Sequence, residues 1–260
     1  RTEKLSNIMG ELEKTNQQLT EARDAIWGEM EVAKKIQTVL LPKNPKVPGF
    51  QLVTYMLPAD EVGGDYFDII NTEKNDWILI GDVSGHGVPA GLIMMMAQST
   101  IRSHVMRNPL IKPSELLENI NLAISYNIKN MDEQKFMTIT ALSYNKNDEI
   151  IFSGRHEDIL IYRKEKDDVE ILKTSGICIS EMPLGEKNKN LHLKVNQGDT
   201  ILLYTDGLIE AWEQNSETAE REKMFGQEKV VSILKKSVKL SPEEIKESLL
   251  HELKDYSLDD

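Results

Sequence analysis

Residues 77–105 read WILIGDVSGHGVPAGLIMMMAQSTIRSHV, and this stretch decides the fold. The continuous apolar run at 77–83 predicts a buried strand. The glycines of 81–87 predict a tight turn, and 88–105 predicts a buried helix after it. Asp82 therefore lies where a buried strand ends in a glycine-bearing turn.

The elements on either side of this stretch give the fold class. Their order is strands, two helices, many strands and then helices, which differs from the alternation of βαβ units. The sequence therefore predicts an α+β fold of two sheets sandwiched by helices. The predicted strands are 51–57, 66–71, 77–83, 136–144, 149–153, 159–164, 170–174, 191–195 and 200–205, and the later helices are 113–126, 228–237 and 242–255, the last with Ser241 as N-cap.

Residues 1–41 predict one long helix, which three prolines (Pro42, Pro45 and Pro48) end. Its apolar or small residues recur three and four apart in an otherwise polar segment, the pattern of a coiled coil. We expect a dimerising stalk at 1–41 and a second domain at 42–260; a single helix packed on its own domain is the alternative. The series is Leu5, Ile8, Leu12, Leu19, Ala22, Ile26, Ala33, Ile36 and Leu40, interrupted at Thr15 and Glu29.

Composition excludes several classes of protein. The net charge of -12 argues against nucleic-acid binding, which needs a basic surface. No apolar run approaches the roughly 18 residues that cross a bilayer, so no membrane contact is expected within this fragment. Cys178 is the only cysteine, which favours a reducing, cytoplasmic compartment. The chain begins with Arg1 and is expected to be part of something longer.

Three aspartates occupy comparable positions at strand ends beside glycine. Asp65 lies in EVGGDYFD at 61–68, Asp82 in the turn quoted above, and Asp206 in LYTDGL at 203–208. An aspartate after an apolar strand is costly to desolvate unless its charge is compensated. The pair Asp259–Asp260 ends the chain.

Aspartates in such turns are the ligands that hard cations prefer. Mg²⁺ and Mn²⁺ take carboxylate, carbonyl and water oxygens, and two such ions can activate water for attack on phosphorus. Each aspartate alone is weak evidence, because solvated Asp-Gly turns are common. Spacing does not rank Asp65 above its neighbours Asp60, Glu61 and Asp68.

The sequence gives less support to nucleotide binding, zinc binding or covalent hydrolysis. The segment 81–87 lacks the Gly-x-x-x-x-Gly-Lys-Ser/Thr pattern of a nucleotide P-loop. His86 is interpreted as a turn residue more readily than as an acid, base or metal ligand. No zinc-ligand spacing, Gly-x-Ser-x-Gly elbow or cysteine nucleophile is present, so covalent hydrolysis is disfavoured.

Taken together, these motifs resemble the bacterial branch of the PPM metal-dependent serine/threonine phosphatases, that of the stage II sporulation protein E and the stress-response phosphatases. The resemblance covers about residues 30–260. The matching segments are IQTVLLP (36–42), EVGGDYFD (61–68), GDVSGHG (81–87) with its Met-rich helix, PLGE (183–186), Gly198-Asp199, LLYTDGLIEA (202–211) and FGQEKV (225–230).

The resemblance implies an αββα sandwich of two mainly antiparallel sheets with two Mn²⁺ or Mg²⁺ ions at one edge. Asp82 would bridge the ions and the Val83 carbonyl would help to hold one. Asp65 would act partly through water, Asp206 would be the ligand before the glycine, and Asp259 would be the last ligand. Metal-activated water would hydrolyse phosphoserine or phosphothreonine without a phosphoenzyme.

The family also implies a substrate and a mode of regulation. The expected substrate is a phosphorylated STAS-domain anti-sigma-factor antagonist, and an upstream sensor would act through the stalk, expected to form a homodimer. The alternatives are a pseudophosphatase that only binds its partner and a phosphatase that acts on small molecules. The chain departs from the family where it stops at Asp260, so the final strand is expected to be truncated, and at 153–156, SGRH, where many relatives have Ala-Gly-His-Pro. The sequence places no residue for the substrate phosphate.

Overall fold

The computed structural model describes residues 2–42, 44–57, 62–131, 134–146, 149–212 and 224–257. Its helices are α1 (Thr2–Leu40), α2 (Val88–Arg107), α3 (Pro113–Asn130), α4 (Asp206–Ile209), α5 (Gly226–Ser237) and α6 (Pro242–Tyr256), with a 3₁₀ turn at Gly185–Lys187. Its strands are β1 (Tyr66–Asn71), β2 (Asp76–Val83), β3 (Met137–Tyr144), β4 (Glu149–Arg155), β5 (Ile159–Arg163), β6 (Asp168–Leu172), β7 (Leu191–Lys194) and β8 (Thr200–Leu202).

The strands form two sheets. The larger sheet has the order β1-β2-β3-β4-β7 and the smaller sheet has the order β6-β5-β8. Every pairing between these strands is antiparallel. The chain passes from the larger to the smaller sheet in the short connection between β4 and β5.

Three apolar cores hold the layers together. Trp77 and Leu117 belong to the core between the larger sheet and helices α2 and α3. Phe152 and Ile161 belong to the core between the two sheets. Leu234 belongs to the core between the smaller sheet and helices α5 and α6. The four layers confirm the predicted αββα sandwich.

The side chains of β1 and β2 alternate between two cores, one on each face of the larger sheet. Tyr66 and Trp77 lie in the helix-side core, whereas Ile69 and Ile78 contribute to the core between the sheets. Successive side chains of a strand point to opposite faces, so both faces of these strands are covered. This burial explains the continuous apolar run in the sequence.

Local sequence signals correctly predict the start of α6 but wrongly predict a strand at 51–57. Ser241 caps α6 in a reciprocal capping box with Glu244, as its sequence predicts. The strand predicted at 51–57 is wrong, because the structure has no strand there. Leu52, Tyr55 and Leu57 are exposed instead, so these apolar side chains lie on the surface and the segment has no partner strand.

Helix α1 is continuous, but its two ends have different surroundings. Leu12 and Leu19, seven residues apart, are 59% and 68% exposed. Near the other end of the helix, Gln37 is only 3% exposed and contacts the loop before β1. The boundary between a stalk at 1–41 and a domain at 42–260 stays a prediction. In the described part of the chain, no helix is long and apolar enough to cross a membrane.

Candidate metal centre

The pairing of β1 with β2 brings two of the predicted aspartates side by side. Tyr66 pairs with Gly81, and the Val83 amide donates to the Gly64 carbonyl at 3.2 Å, which continues the same register. Asp65 therefore lies opposite Asp82. Alternation along each strand directs both side chains toward the side of the larger sheet that faces the smaller sheet.

The same alternation separates Asp65 from its competitor Asp68. Asp68 is fully buried on the helix-facing side, where it accepts from the Ile69 amide at 2.8 Å and from Arg102 of α2 at 3.4 Å. Burial raises the pKa of Asp68, and Arg102 partly offsets that shift. Asp68 thus has its own partners in another layer. The other competitors, Asp60 and Glu61, lie outside the described residues.

Asp206 reaches the same place from the smaller sheet. It is the first residue of α4, which follows β8 after a short extended segment ending at Thr205. The side chain of Thr205 is hydrogen-bonded to Asp65, which joins the loop of Asp206 to β1. Three aspartates that are far apart in sequence therefore come together at the edge where the two sheets meet.

The electrostatics of the three carboxylates show how closely they interact. Burial, with smaller contributions from the neighbouring charges of Asp65 and Asp206, raises the pKa of Asp82 to about 7. Burial also raises the pKa of Asp65, against the effect of its hydrogen bond from Thr205 and with a contribution from Asp206. Among the described residues, no lysine or arginine forms an ion pair with any of the three. A cation bound here would stabilise the ionised forms.

Glycine at position 64 avoids a collision with two oxygen atoms of the proposed site. A methyl group on Gly64 would lie 2.5 Å from the Val83 carbonyl oxygen and 2.9 Å from Oδ1 of Asp82. A carbonyl and a carboxylate oxygen thus converge on a surface that any side chain would cover. Oxygen donors of these two kinds suit Mg²⁺ or Mn²⁺, so the residues present fit the expected ions.

The turn after β2 is held in shape by the start of β3. Gly85 and Gly87 have φ angles of +75° and +79°, which explains the glycines in the motif. The Ser84 amide donates to the Phe136 carbonyl at 2.8 Å, and the Phe136 amide donates to Oγ of Ser84 at 3.0 Å. His86 is exposed on this turn.

Two neighbours of the site escaped the sequence reasoning. Burial raises the pKa of Glu157, and Asp206 is the largest charged contributor to that shift. The ring of His156 is hydrogen-bonded to Thr138 of β3 and to Tyr204, which follows β8. Both residues belong to the connection from β4 to β5. The only feature of the sequence that could have drawn attention to this connection was its departure from the family pattern at 153–156.

The predicted ligand set is only partly within the described residues. Asp259 lies outside them. Within them, no three side chains of histidine, cysteine, aspartate or glutamate are gathered tightly enough to form a ready metal cluster. A centre of two ions distributes its protein ligands over two positions and completes them with water, so it does not require that the carboxylates converge on one point.

Comparison with known proteins agrees with this geometry. The family profile described as "Stage II sporulation protein E (SpoIIE)" matches residues 72–260. The chain is 29% identical over 251 residues to the phosphoserine phosphatase RsbU of Bacillus subtilis (strain 168), covering 94% of this chain and 71% of that protein.

Solved structures share the fold. The SiaA-PP2C domain of Pseudomonas aeruginosa superposes with a TM-score of 0.76 at 20% identity, covering 92% of this chain and 93% of that chain. RsbX in complex with magnesium superposes with a TM-score of 0.51 at 18% identity, covering 78% and 86%. Because the family profile spans well over half of the residues, the chain belongs to the stage II sporulation protein E family.

Proposed function

We propose that this chain hydrolyses phosphoserine or phosphothreonine on a regulatory protein, with water activated by two divalent cations. As a member of its family it is a serine/threonine protein phosphatase; the proposal concerns its metal ions, substrate and regulation. The observation that carries it is the meeting of Asp65, Asp82 and Asp206, with the pKa of Asp82 raised to about 7. Carboxylates at such a place need nearby positive charge to stay ionised.

The proposed ligands follow from this arrangement and from the family resemblance. Asp82, the Val83 carbonyl and Asp65 would hold the ions from the larger sheet. Asp206 would be a ligand from the smaller sheet, and Asp259 would be the last one. When bound, Mn²⁺ or Mg²⁺ would supply Lewis acidity and lower the pKa of the attacking water. No residue is assigned to the substrate phosphate.

The proposed substrate is a phosphorylated STAS-domain anti-sigma-factor antagonist. The resemblance to the stress-response phosphatases supports this choice, as does the similarity to a protein named as a phosphoserine phosphatase. The metal ligands alone would serve a small-molecule phosphatase equally well, so the substrate has to be tested with the phosphoprotein. A cytoplasmic location, expected from the single cysteine, accompanies this substrate.

Regulation through α1 is proposed because the helix contacts the loop that leads to Asp65. Nε2 of Gln37 donates to the Gly63 carbonyl at 2.8 Å, and the Gly63 amide donates to Oε1 of Gln37 at 3.2 Å. Val62 of the same loop packs on Gly91 of α2, and its carbonyl accepts from the Gly87 amide at 3.1 Å. A shift of α1 would therefore displace the loop next to Asp65. Homodimerisation through the exposed part of α1 would let an upstream sensor impose such a shift.

Replacement of one ligand tests the catalytic proposal. We expect Asp206→Asn to lower Mn²⁺-dependent phosphate release by more than about 100-fold, beyond the 10–100-fold typical of groups outside the ligand shell. The substrates are p-nitrophenyl phosphate and a phosphorylated STAS-domain protein. The matched control is Asp255→Asn, which alters an exposed aspartate of α6 that pairs with His251. If the parent binds the phosphoprotein but releases no phosphate with Mn²⁺, the chain is a pseudophosphatase.

A methyl group at Gly64 tests the metal-binding surface. We expect Gly64→Ala to weaken Mn²⁺ binding, measured by titration calorimetry, by at least about 10-fold, because the methyl would cover the Val83 carbonyl and Asp82. Gly207→Ala is the control: it also neighbours a proposed ligand, yet its Cβ would meet nothing within 4 Å. Equal affinities in the two variants would contradict the proposed position of the ions.

The raised pKa of Asp82 predicts a pH dependence for the metal-free chain. Its folded pKa of about 7 lies above its ordinary value of 3.8, so the folded state binds the proton more tightly between these pH values. The stabilisation is present below pH 4 and is lost as pH rises through 7. After allowance for solvent screening, we expect a loss of about 1–2 kcal/mol in the free energy of unfolding.

The measurement is urea unfolding in a chelator at several pH values. Asn resembles a protonated aspartate in carrying no charge, so the Asp82→Asn variant should lose less stability as pH rises from 4 to 8. Asp255→Asn should behave like the parent. Parallel curves for the parent and Asp82→Asn would show that Asp82 does not titrate in this range.

The contact between Gln37 and Gly63 predicts that α1 influences the site. We expect Gln37→Ala to weaken Mn²⁺ binding at least about threefold, because both hydrogen bonds to Gly63 are lost, a net effect of roughly 1 kcal/mol. Gln17→Ala is the control in the same helix, where the side chain is exposed and bonded only to Glu21. Identical affinities in the two variants would remove the structural support for regulation through α1.

A further inference from the structure

His156 occupies the connection in which the chain crosses from the larger to the smaller sheet. It follows the last residue of β4, and β5 begins three residues later. Its main-chain amide donates to Oγ1 of Thr174 at 3.1 Å, and that hydroxyl donates back to the His156 carbonyl. The backbone of His156 is therefore anchored beside β6, and the imidazole ring is partly buried between the sheets.

Both ring nitrogens of His156 have partners, one on β3 of the larger sheet and one in the segment that follows β8 of the smaller sheet. Nε2 lies 3.1 Å from the Tyr204 carbonyl oxygen, and Nδ1 lies 2.8 Å from Oγ1 of Thr138. A carbonyl oxygen only accepts, so Nε2 carries the hydrogen and Nδ1 accepts from the Thr138 hydroxyl. Burial lowers the pKa of His156 to about 4, in agreement with this neutral form.

The two partners of the ring lie next to two of the proposed ligands. Thr138 is the register partner of Asp82 in the pairing of β2 with β3. Its hydroxyl also lies 3.3 Å from the main-chain oxygen of Asp82. Tyr204 precedes Asp206 by two residues. The imidazole therefore links β3, at the residue paired with Asp82, to the segment that leads into Asp206.

This bridge acts against the repulsion between the two carboxylates. Asp82 and Asp206 lie at the same edge of the two sheets, so their like charges repel each other when both side chains are ionised and no cation is bound. No strand pairing joins the two positions, because Asp82 lies in β2 of the larger sheet and Asp206 begins α4, beyond the end of β8. A rigid ring bonded at both ends can hold their separation at the value that the ions need.

We propose that His156 is a positioning residue that fixes the loop of Asp206 against the strand of Asp82 and thereby sets the affinity for the metal ions. The inference rests on the proposed metal-dependent function. The ring does not act as a proton donor to substrate, because its single N–H is committed to Tyr204 and its other nitrogen to Thr138.

The test uses the full chain with changes at each end of the bridge. His156→Ala removes both hydrogen bonds, Thr138→Val removes one at nearly constant volume, and His156→Gln keeps an N–H at the position that faces Tyr204. We expect Mn²⁺ binding, measured by calorimetry, to weaken by about 10–100-fold in His156→Ala. The loss should be smaller in Thr138→Val and partly rescued in His156→Gln.

Thr140→Val is the matched control. Thr140 lies on the same strand and is buried, but its hydroxyl has no hydrogen-bond partner in the described part of the chain. We expect parental Mn²⁺ affinity in Thr140→Val. If Thr138→Val and Thr140→Val bind Mn²⁺ equally well, or if the affinity of His156→Ala matches that of the parent, the positioning role is wrong.

A second readout needs no metal. The amides of Leu208 and Glu210 donate to the carbonyls of Thr205 and Asp206, so their hydrogen exchange reports on this loop. In the metal-free chain we expect exchange at both amides to be at least about threefold faster in Thr138→Val than in Thr140→Val. If the parent binds no Mn²⁺, the proposed function fails, and exchange alone then decides whether His156 holds the loop. Unchanged exchange would overturn the inference.

Discussion

Three carboxylates that repel one another lie where the two sheets meet, and the surrounding layers have to maintain that arrangement. Two like charges 4 Å apart repel by about 4 kcal/mol at an effective dielectric constant of about 20. Burial raises the pKa values of Asp65 and Asp82, and the same repulsion adds to both shifts. The apolar cores above, between and below the sheets offset it, since burial contributes about 25 cal/mol per Å² of apolar surface. The fold can therefore tolerate an unfavourable site at its edge.

Most of the fold and part of the site could be predicted from the sequence. Strong apolar runs and glycine turns located β1, β2, α2 and the segment around Asp206, because those signals are local. The choice between Asp65 and Asp68 was not local. Both lie in the same motif on opposite faces of the strand, and only the pairing of Tyr66 with Gly81 shows that Asp65 is the one beside Asp82. The strand predicted at 51–57 failed because an apolar run does not reveal whether a partner strand is present.

His156 was hidden from the sequence for a related reason. Its two ring partners, Thr138 and Tyr204, are 18 and 48 residues away. A histidine after a strand has many structural roles, and spacing along the chain contains no information on which sheets it joins. Only the packing of one sheet on the other makes the bridge visible. Contacts between layers are thus the part of this site that is hardest to predict from patterns in the sequence.

The three aspartates are held in place by different contacts, and only one of them lies next to a loop that contacts helix α1. Asp82 lies within a central strand that is paired on both sides, and His156 ties its neighbour Thr138 to the loop of Asp206. Asp65, in contrast, follows a loop whose Gly63 is bonded to Gln37 of the long helix. A displacement of α1 would thus act on Asp65 first, because the other two aspartates are held by contacts that do not involve the helix. Gln37 restrains the loop before Asp65, whereas His156 restrains the loop of Asp206 relative to Thr138, the neighbour of Asp82. Removal of either restraint therefore changes a different spacing between the ligands and leaves the three apolar cores in place.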